Sequence, residues 1–110
     1  MIAALVQIRM PEPMTLEEAK TTFAGTAPKY RGIKGLIRKY YLLSEDGKTA
    51  GGVYLWETRE AAQSKYDADW YAFIREKYGV DPQVTYFDSP VVVDNLTGEI
   101  VATATDGRCP

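Results

Sequence analysis

Aromatic side chains that carry a polar atom are the residues in this sequence best suited to chemistry. Of the 13 aromatic residues (8 Tyr, 3 Phe and 2 Trp), 11 fall between positions 40 and 87. Small-molecule sites are typically apolar, aromatic pockets with a few polar groups, and a buried Tyr or Trp needs a hydrogen-bond partner. An ordinary aromatic core also explains the cluster, and the sequence leaves both interpretations open. The residues predicted to contact a substrate are Leu36, Tyr40, Tyr66, Trp70 and Phe87.

Arg38 is the candidate for holding a negative charge in such a pocket. It lies in a β-prone run, and the strand pairing predicted below places it on the same face as Tyr54 and Trp56. A guanidinium can hold a phenolate or enolate oxygen with charge-assisted hydrogen bonds. We therefore predict Arg38 as a catalytic residue, with Tyr54 or Trp56 as the second donor. The alternative for Arg38 is a salt bridge to Glu57 or an exposed edge position, and Lys39 is expected to be solvated or at a subunit rim.

The composition excludes several kinds of active site. The chain has no histidine and a single cysteine, Cys109, so it lacks the commonest general base and the commonest metal ligands. Zinc sites and Ser-His or Cys-His nucleophile systems are not expected, and no Asp/Glu spacing resembles an EF-hand loop. We predict no metal site. A general base would be a perturbed tyrosine, a carboxylate or a water molecule, if one is needed at all, and the residues do not identify it.

The order of predicted elements is β-α-β-β-α-β. Strands are predicted over 2–9, 33–44 and 50–58, and a last strand over 82–95 is interrupted near Pro90. Thr15 and Glu18 form a capping box that begins the first helix, and Thr58 begins a second helix that ends at Gly79. This order predicts a ferredoxin-like α+β sandwich with an antiparallel sheet. Residues 1–95 form the single domain, and 96–110 form a tail with a possible short extra strand.

The register of the central hairpin decides which side chains share a face. With "EDG" (45–47) as a three-residue loop, Gly47 takes the left-handed position. Arg38 then faces Tyr54, Leu36 faces Trp56 and Tyr40 faces Gly52. A loop of two residues shifts the pairing by one and moves Tyr54 and Trp56 to the opposite set. We favour the three-residue loop.

Three of the four predicted strands are apolar on both faces. In "GGVYLWET", Val53 and Leu55 point to one side and Tyr54 and Trp56 to the other. Helices cover one face, and soluble monomers avoid leaving a large apolar patch exposed on the other. A second copy of the chain would cover it most simply, so we predict a homodimer with two sheets packed face to face.

Three stretches together resemble the YdhR-like monooxygenases of the dimeric α/β-barrel superfamily, which are related to the antibiotic-biosynthesis monooxygenases. They are "GIKGLIRKYYLLSEDGKTAGGVYLWET", "AAQSKYDADWYAFIREKYG" and "VTYFDSPVVVDN", and the resemblance covers residues 2–95. It implies the same fold and homodimer, and oxygenation of a small electron-rich aromatic or polyketide-like compound with no cofactor. Haem-degrading relatives bind iron through a histidine, which this chain lacks.

Two other classes of function suit the same features. A non-catalytic binding or sensing module would hold a small hydrophobic metabolite in the same pocket. RNA-recognition modules share the element order, and "KTAGGVYLW" loosely matches their third strand. However, the net charge is −2 and the first strand has no stacking aromatic, so no nucleic-acid partner is expected. The first apolar run is too short for a signal peptide or membrane span, and a single cysteine suits a reducing compartment. We expect a cytoplasmic protein without a membrane partner.

Overall fold

A computed structural model of the chain describes residues 1–102, and its main feature is a four-stranded antiparallel sheet. The spatial order of the sheet is β2-β3-β1-β4, and β5 and β6 form a separate two-stranded hairpin. This is the predicted ferredoxin-like α+β arrangement. The remaining residues, 103–110, include Cys109 and the end of the predicted tail, and they lie outside the described part of the chain. The strands are β1 (Ile2–Arg9), β2 (Leu36–Leu43), β3 (Thr49–Trp56), β4 (Gln83–Asp88), β5 (Val91–Asp94) and β6 (Glu99–Ala102); the helices are α1 (Leu16–Thr26), α2 (Arg59–Lys65) and α3 (Ala68–Tyr78), with a 3₁₀ turn at Ala27–Tyr30.

The core lies between the helices and one face of the sheet. Alternate residues of β1 and β3 point into it, because side chains of a strand alternate between its two faces. On β1 these are Ile2, Ala4, Val6 and Ile8, all buried. The predicted capping box is present at the start of α1. The amide of Glu18 donates to Thr15 Oγ1 at 3.1 Å, and the amide of Thr15 donates to Glu18 Oε1 at 2.9 Å.

The predicted register of the central hairpin is wrong by one residue. Ser44 pairs with Thr49 rather than Lys48, since the Ser44 amide donates to the Thr49 carbonyl at 2.9 Å. The turn therefore spans four residues, 45–48. Gly47 has the predicted left-handed conformation, with φ 74°, but its carbonyl also accepts from the Met14 amide at 2.8 Å. That bond ties the turn to the segment before α1.

The shifted register changes which β2 side chains face the helices. Lys39 lies opposite Tyr54, whereas Arg38 lies opposite Leu55 on the other face. Residues that pair directly across an antiparallel ladder share a face, and a one-residue slip exchanges the faces. A bulge between Leu36 and Arg38 restores the predicted pairing of Leu36 with Trp56.

The single long helix predicted after Thr58 is two helices. Thr58 caps α2 as expected, because its Oγ1 accepts from the Ala61 amide at 3.1 Å. The chain then leaves the helix at Tyr66, which has φ −88° and ψ 55°. Asp67 begins α3, and its Oδ1 accepts from the Trp70 amide at 2.9 Å. Aspartate favours a cap over a helix interior because its carboxylate can bond to free backbone amides.

The sheet face opposite the helices is apolar and open. Leu5, Val53 and Leu55 lie half-buried on this open face. Tyr40 and Phe87 also belong to it, with 54% and 52% of their surfaces exposed. The β5–β6 hairpin exposes further apolar side chains, including Val93 and Ile100. Its Asp94 is close enough to Arg38 to be a minor cause of the raised pKa of Arg38, after the hydrogen bond and charge of Tyr40.

Replacement of Gly35 by alanine is expected to destabilise the fold. Gly35 has φ 85°, and a Cβ at this position would lie 2.6 Å from the Cβ of Ala61 on α2. The left-handed backbone alone costs an L-residue about 1–2 kcal/mol, and the contact adds to it. Urea unfolding of the Gly35→Ala variant measures the loss of free energy of unfolding.

Gly25→Ala is the matched control for that experiment. Gly25 lies in α1, and a Cβ there meets no atom within 4 Å. Alanine is favoured over glycine in a helix by about 0.5–1 kcal/mol, so this variant is expected to be more stable than wild type. Equal stability of the Gly35→Ala protein and wild type would contradict the argument.

Candidate functional site

Four of the predicted aromatic residues form the centre of the buried core. Trp56 is fully buried, and its indole N–H donates to the Tyr66 hydroxyl at 3.1 Å. Tyr54 stacks on Trp56 with ring centroids 6.2 Å apart, and the Tyr66 ring meets Trp70 at 4.7 Å. The Trp70 indole N–H donates to the hydroxyl of Tyr30 at 3.3 Å. Each indole N–H thus has a tyrosine partner, and the cluster buries its polar atoms without a ligand.

The main cleft lies beside this cluster, between the 3₁₀ turn with its following loop and the two helices α2 and α3. Its volume is about 880 Å³, which suits a small organic ligand. Tyr30, Trp70 and Phe73 form its aromatic wall. Charged side chains of both signs also line it: Lys29, Lys34, Lys65, Glu57, Glu60, Asp67 and Asp69.

The ammonium group of Lys39 lies in a cage of tyrosine rings on the helix side of the sheet. Its Nζ is 3.4 Å from the ring centroid of Tyr30, 3.8 Å from that of Tyr41 and 4.6 Å from that of Tyr54. Lys65 approaches the same Tyr30 ring, with its Nζ 5.0 Å from the centroid. Among residues 1–102, the one salt bridge joins Arg75 and Asp81, so no carboxylate is paired with Lys39.

Burial lowers the pKa of Lys39 from its ordinary 10.5 to about 7, and the like charge of Lys65 adds to this effect. This shift brings the loss of the Lys39 proton into the neutral pH range. The faces of the tyrosine rings attract an ammonium ion. Lys39 can consequently exist in either form near pH 7, as a group that accepts protons must.

The tyrosines of the core remain protonated at neutral pH. Burial is the main cause that raises the pKa of Tyr54, with the charge and hydrogen bond of Tyr30 next. Burial likewise raises the pKa of Tyr66 and that of Tyr78, the latter to about 12. A tyrosine can act as a base only as its phenolate. These residues therefore do not supply the perturbed tyrosine base that the sequence allowed.

A sequence profile described as "Putative mono-oxygenase ydhR" matches residues 5–88 of the chain. This match covers most of the sequence, and it includes β2, β3, β4 and the part of β1 from residue 5 onward. The chain belongs to the ydhR family. No curated protein matches the sequence.

Three of the solved structures that share this fold are described as monooxygenases. A monooxygenase from the gene ActVA-Orf6 of Streptomyces coelicolor, solved with the ligand Nanaomycin D, is 21% identical, with a TM-score of 0.61 over 80% of this chain and 86% of that one. A putative antibiotic biosynthesis monooxygenase from Bordetella bronchiseptica is 20% identical, with a TM-score of 0.61 over 80% and 95%. A third, from Deinococcus radiodurans, is 11% identical, with a TM-score of 0.63 over 86% and 97%. At these identities the likeness shows the shared fold.

In this ydhR-family chain the predicted site residues do not come together in one place. Arg38, Tyr40 and Phe87 lie on the open face, where Arg38 donates to the Tyr40 hydroxyl at 3.2 Å. Their expected positions inside the helix-side pocket are wrong, because the register is shifted for Arg38 and Tyr40 and because Phe87 pairs with Ala3. Leu36 lies at the core's edge, in a shallower groove that Lys39 also lines.

The four remaining predicted residues are on the helix side, but only Trp70 borders the main cleft. Tyr54 borders a small inner cavity, together with Lys39. Trp56 and Tyr66 are engaged with each other inside the core. The sequence reasoning missed Tyr30, Lys39 and Lys65. A sequence signal for Lys39 did exist. Lys39, Tyr41 and Leu43 are alternate residues of β2 and so share one face of the strand. With a turn of four residues, that face points to the helices.

Within residues 1–102, no group of three or more His, Cys, Asp or Glu side chains is arranged to hold a metal ion. Over the same residues, no helix is long and apolar enough to span a membrane.

Replacement of Lys39 by methionine is expected to change how stability depends on pH. Between about pH 7 and about pH 10.5, the unfolded lysine keeps a proton that the folded lysine has released. Wild-type stability therefore gains from rising pH in that window, and below it the buried charge is fully destabilising. We expect Lys39→Met to exceed wild type in free energy of unfolding most clearly near pH 6, and the excess to shrink towards pH 10.

Denaturant unfolding at several pH values measures this difference. The change of this free-energy difference with pH is expected to stay well below about 1.4 kcal/mol per pH unit, which is the limit for one proton, because Lys39 is only partly buried. Lys34→Met is the matched control for removing an exposed lysine. If the free energy of unfolding changed with pH in the same way for wild type and the Lys39→Met protein, the lowered pKa of Lys39 would be contradicted.

Proposed function

We propose that the protein is a cofactor-independent monooxygenase that acts on a small electron-rich aromatic or polyketide-like compound bound in the main cleft. The observation that carries the proposal is the aromatic wall of Tyr30, Trp70 and Phe73 around a cleft of about 880 Å³ in a chain of the ydhR mono-oxygenase family. Flat aromatic substrates stack well on such rings. A binding module without catalysis is the alternative outcome of the test below.

The proposed reaction takes its electrons from the substrate. An ionised phenol passes one electron to O₂, and the substrate radical and superoxide combine to form a C–O bond and a peroxide. Loss of water from that peroxide leaves a quinone. One oxygen atom enters the product and the other leaves in water, so one phenol and one O₂ give one quinone and one H₂O. The protein needs to bind the substrate, stabilise its anion and exclude bulk water.

For substrate binding and anion stabilisation, the residues that line the main cleft are better placed than the residues predicted from the sequence. Trp70 remains a proposed substrate-binding residue, and Tyr30 and Phe73 join it. Lys65 can add positive charge beside an ionised substrate, since its Nζ faces the Tyr30 ring. The catalytic role predicted for Arg38 with Tyr54 and Trp56 is not favoured, because Arg38 is on the opposite face of the sheet.

Oxygen uptake by the purified, metal-stripped protein tests the proposed function. The panel contains hydroquinones, anthrones and Nanaomycin D, the ligand solved with one structural neighbour, without added flavin or nicotinamide. We expect uptake above the substrates' own autoxidation. Ser64→Trp, an exposed residue on α2 that lines the cleft, is expected to lower kcat/KM by ten-fold or more, because the indole occupies the binding space.

Gln63→Trp is the matched control, because Gln63 is an exposed neighbour on α2 that is absent from the cleft lining. It is expected to keep wild-type activity. Uptake equal to autoxidation across the panel would overturn the enzyme proposal and favour a binding module. Uptake that survives in Ser64→Trp would preserve the activity and overturn the choice of cleft.

The homodimer remains part of the proposal. Its support is the open face, where Leu5 and Tyr40 flank Val53 across the paired strands and leave an apolar surface that a second sheet can cover. We expect wild type to sediment at twice the mass of one chain. Val53→Asp is expected to give monomers, because it places a charge in the middle of that surface.

Gln63→Asp is the control for the added charge, since Gln63 is exposed on α2. It is expected to leave the dimer unchanged. Circular dichroism of the Val53→Asp protein checks that the fold is retained. Wild-type protein that stays monomeric at all concentrations would overturn the dimer proposal, and dimers of Val53→Asp would show that another surface forms the interface.

A further inference from the structure

We propose that Lys39 is the general base of the reaction and that the substrates are phenols or hydroquinones whose O–H proton it removes. This inference rests on the proposed function and adds to it the base that ionises the substrate. In the proton-transfer step, the O–H bond of the substrate breaks and an N–H bond forms at Nζ. The electron pair stays on oxygen, so a neutral amine and a neutral phenol become an ammonium–phenolate pair.

The rings of Tyr30, Trp70 and Phe73 stand between Lys39 and the main cleft, because each of them lines both the cleft and the inner cavity that Lys39 borders. That inner cavity has a volume of about 20 Å³, which is enough for one water molecule. A general base can act through one water, so a water in the inner cavity is the route by which the proton reaches Nζ.

The surroundings of Lys39 suit an amine that gains and loses a proton. No Asp or Glu of the described residues lines the inner cavity, so no carboxylate holds Lys39 permanently in its charged form. Burial and Lys65 lower its pKa to about 7, and ring faces stand ready to stabilise the ammonium that forms. The titratable and charged groups that face Lys39 or share its cavity are Tyr30, Tyr41, Tyr54, Lys65, Lys77 and Tyr78.

The chemistry of the base selects the substrate class. An ordinary phenol has a pKa of about 10, as in tyrosine, which is within a few units of the amine. Proton transfer between groups with similar pKa values needs little driving force, and efficiency follows that match. Position on the other face excludes Arg38 from this role, and a guanidinium is in any case always protonated. Lys39 thus has a neutral form near pH 7, and the tyrosine rings around it stabilise the ammonium that forms.

The test uses meta-nitrophenol, whose ionised form absorbs at longer wavelength than its neutral form, bound to the protein without oxygen near pH 8. For wild type, we expect the bound phenol to show the phenolate band with no net release of protons, because Lys39 takes the proton. Lys39→Met is expected to bind the neutral phenol and to lose the band. Calorimetry in two buffers of different ionisation enthalpy measures proton release.

Lys39→Arg separates a base from a mere positive charge. Arginine can hold a phenolate but cannot accept a proton, so binding to this variant is expected to release protons to the buffer. Neutral phenol bound to wild type, a phenolate band that persists in Lys39→Met, or equal proton release by wild type and Lys39→Arg would each overturn the proposal.

This experiment needs no turnover, so its result can contradict the role of Lys39 without contradicting the proposed function, and the reverse also holds. Ionisation of bound phenol without oxygen uptake in air would keep Lys39 as a base and overturn the monooxygenase proposal. Oxygen uptake that Lys39→Met retains at the wild-type rate would keep the monooxygenase and overturn this inference. Near-ultraviolet circular dichroism of each variant reports whether the aromatic core remains intact.

Discussion

The pairing register of β2 against β3 is the constraint on which the candidate site depends. Lys39 lies opposite Tyr54 on the helix side because the turn between these strands has four residues. A register with one residue fewer would exchange Lys39 for Arg38 and put a permanent charge under the helices. Gly47 holds that register from two directions. Its amide bonds within the turn to Ser44, and its carbonyl bonds outside it to the Met14 amide.

Most of the fold could be predicted from local sequence, but this register could not. The period-two pattern of β1, the capping box at Thr15 and the strand order are local or follow from element order. A left-handed Gly47 suits loops of three and of four residues alike. The observed four-residue turn is tied by the Met14 bond to a segment more than 30 residues away in the chain, and the hairpin's own sequence pattern does not mark that bond. The break at Asp67 was readable in principle, since aspartate commonly caps helices.

The residue types of the candidate site could be predicted from the sequence, but their arrangement could not. The aromatic residues do cluster, yet Trp56 and Tyr66 satisfy each other and leave the ligand space to Tyr30, Trp70 and Phe73. Tyr30 stands alone in a short 3₁₀ turn, outside the region where aromatic residues are dense. Lys39 was expected in solvent or at a subunit rim, in line with the rule that lysines are almost never buried without a partner. Its partners are ring faces, which sequence patterns do not mark as partners for charge.

The position of Lys39 in its tyrosine cage places the stability of the fold in opposition to the role proposed for this residue. An amine held near neutrality spends part of its time as a poorly hydrated ion, so its position weakens the fold. Selection for heat resistance alone would therefore favour apolar replacements at position 39, which fill the cage without that cost. Thermostable variants obtained in this way would keep the fold, the cleft and its aromatic wall but would lose the proposed base. Persistence of lysine at this position under such selection would thus be a sign of function.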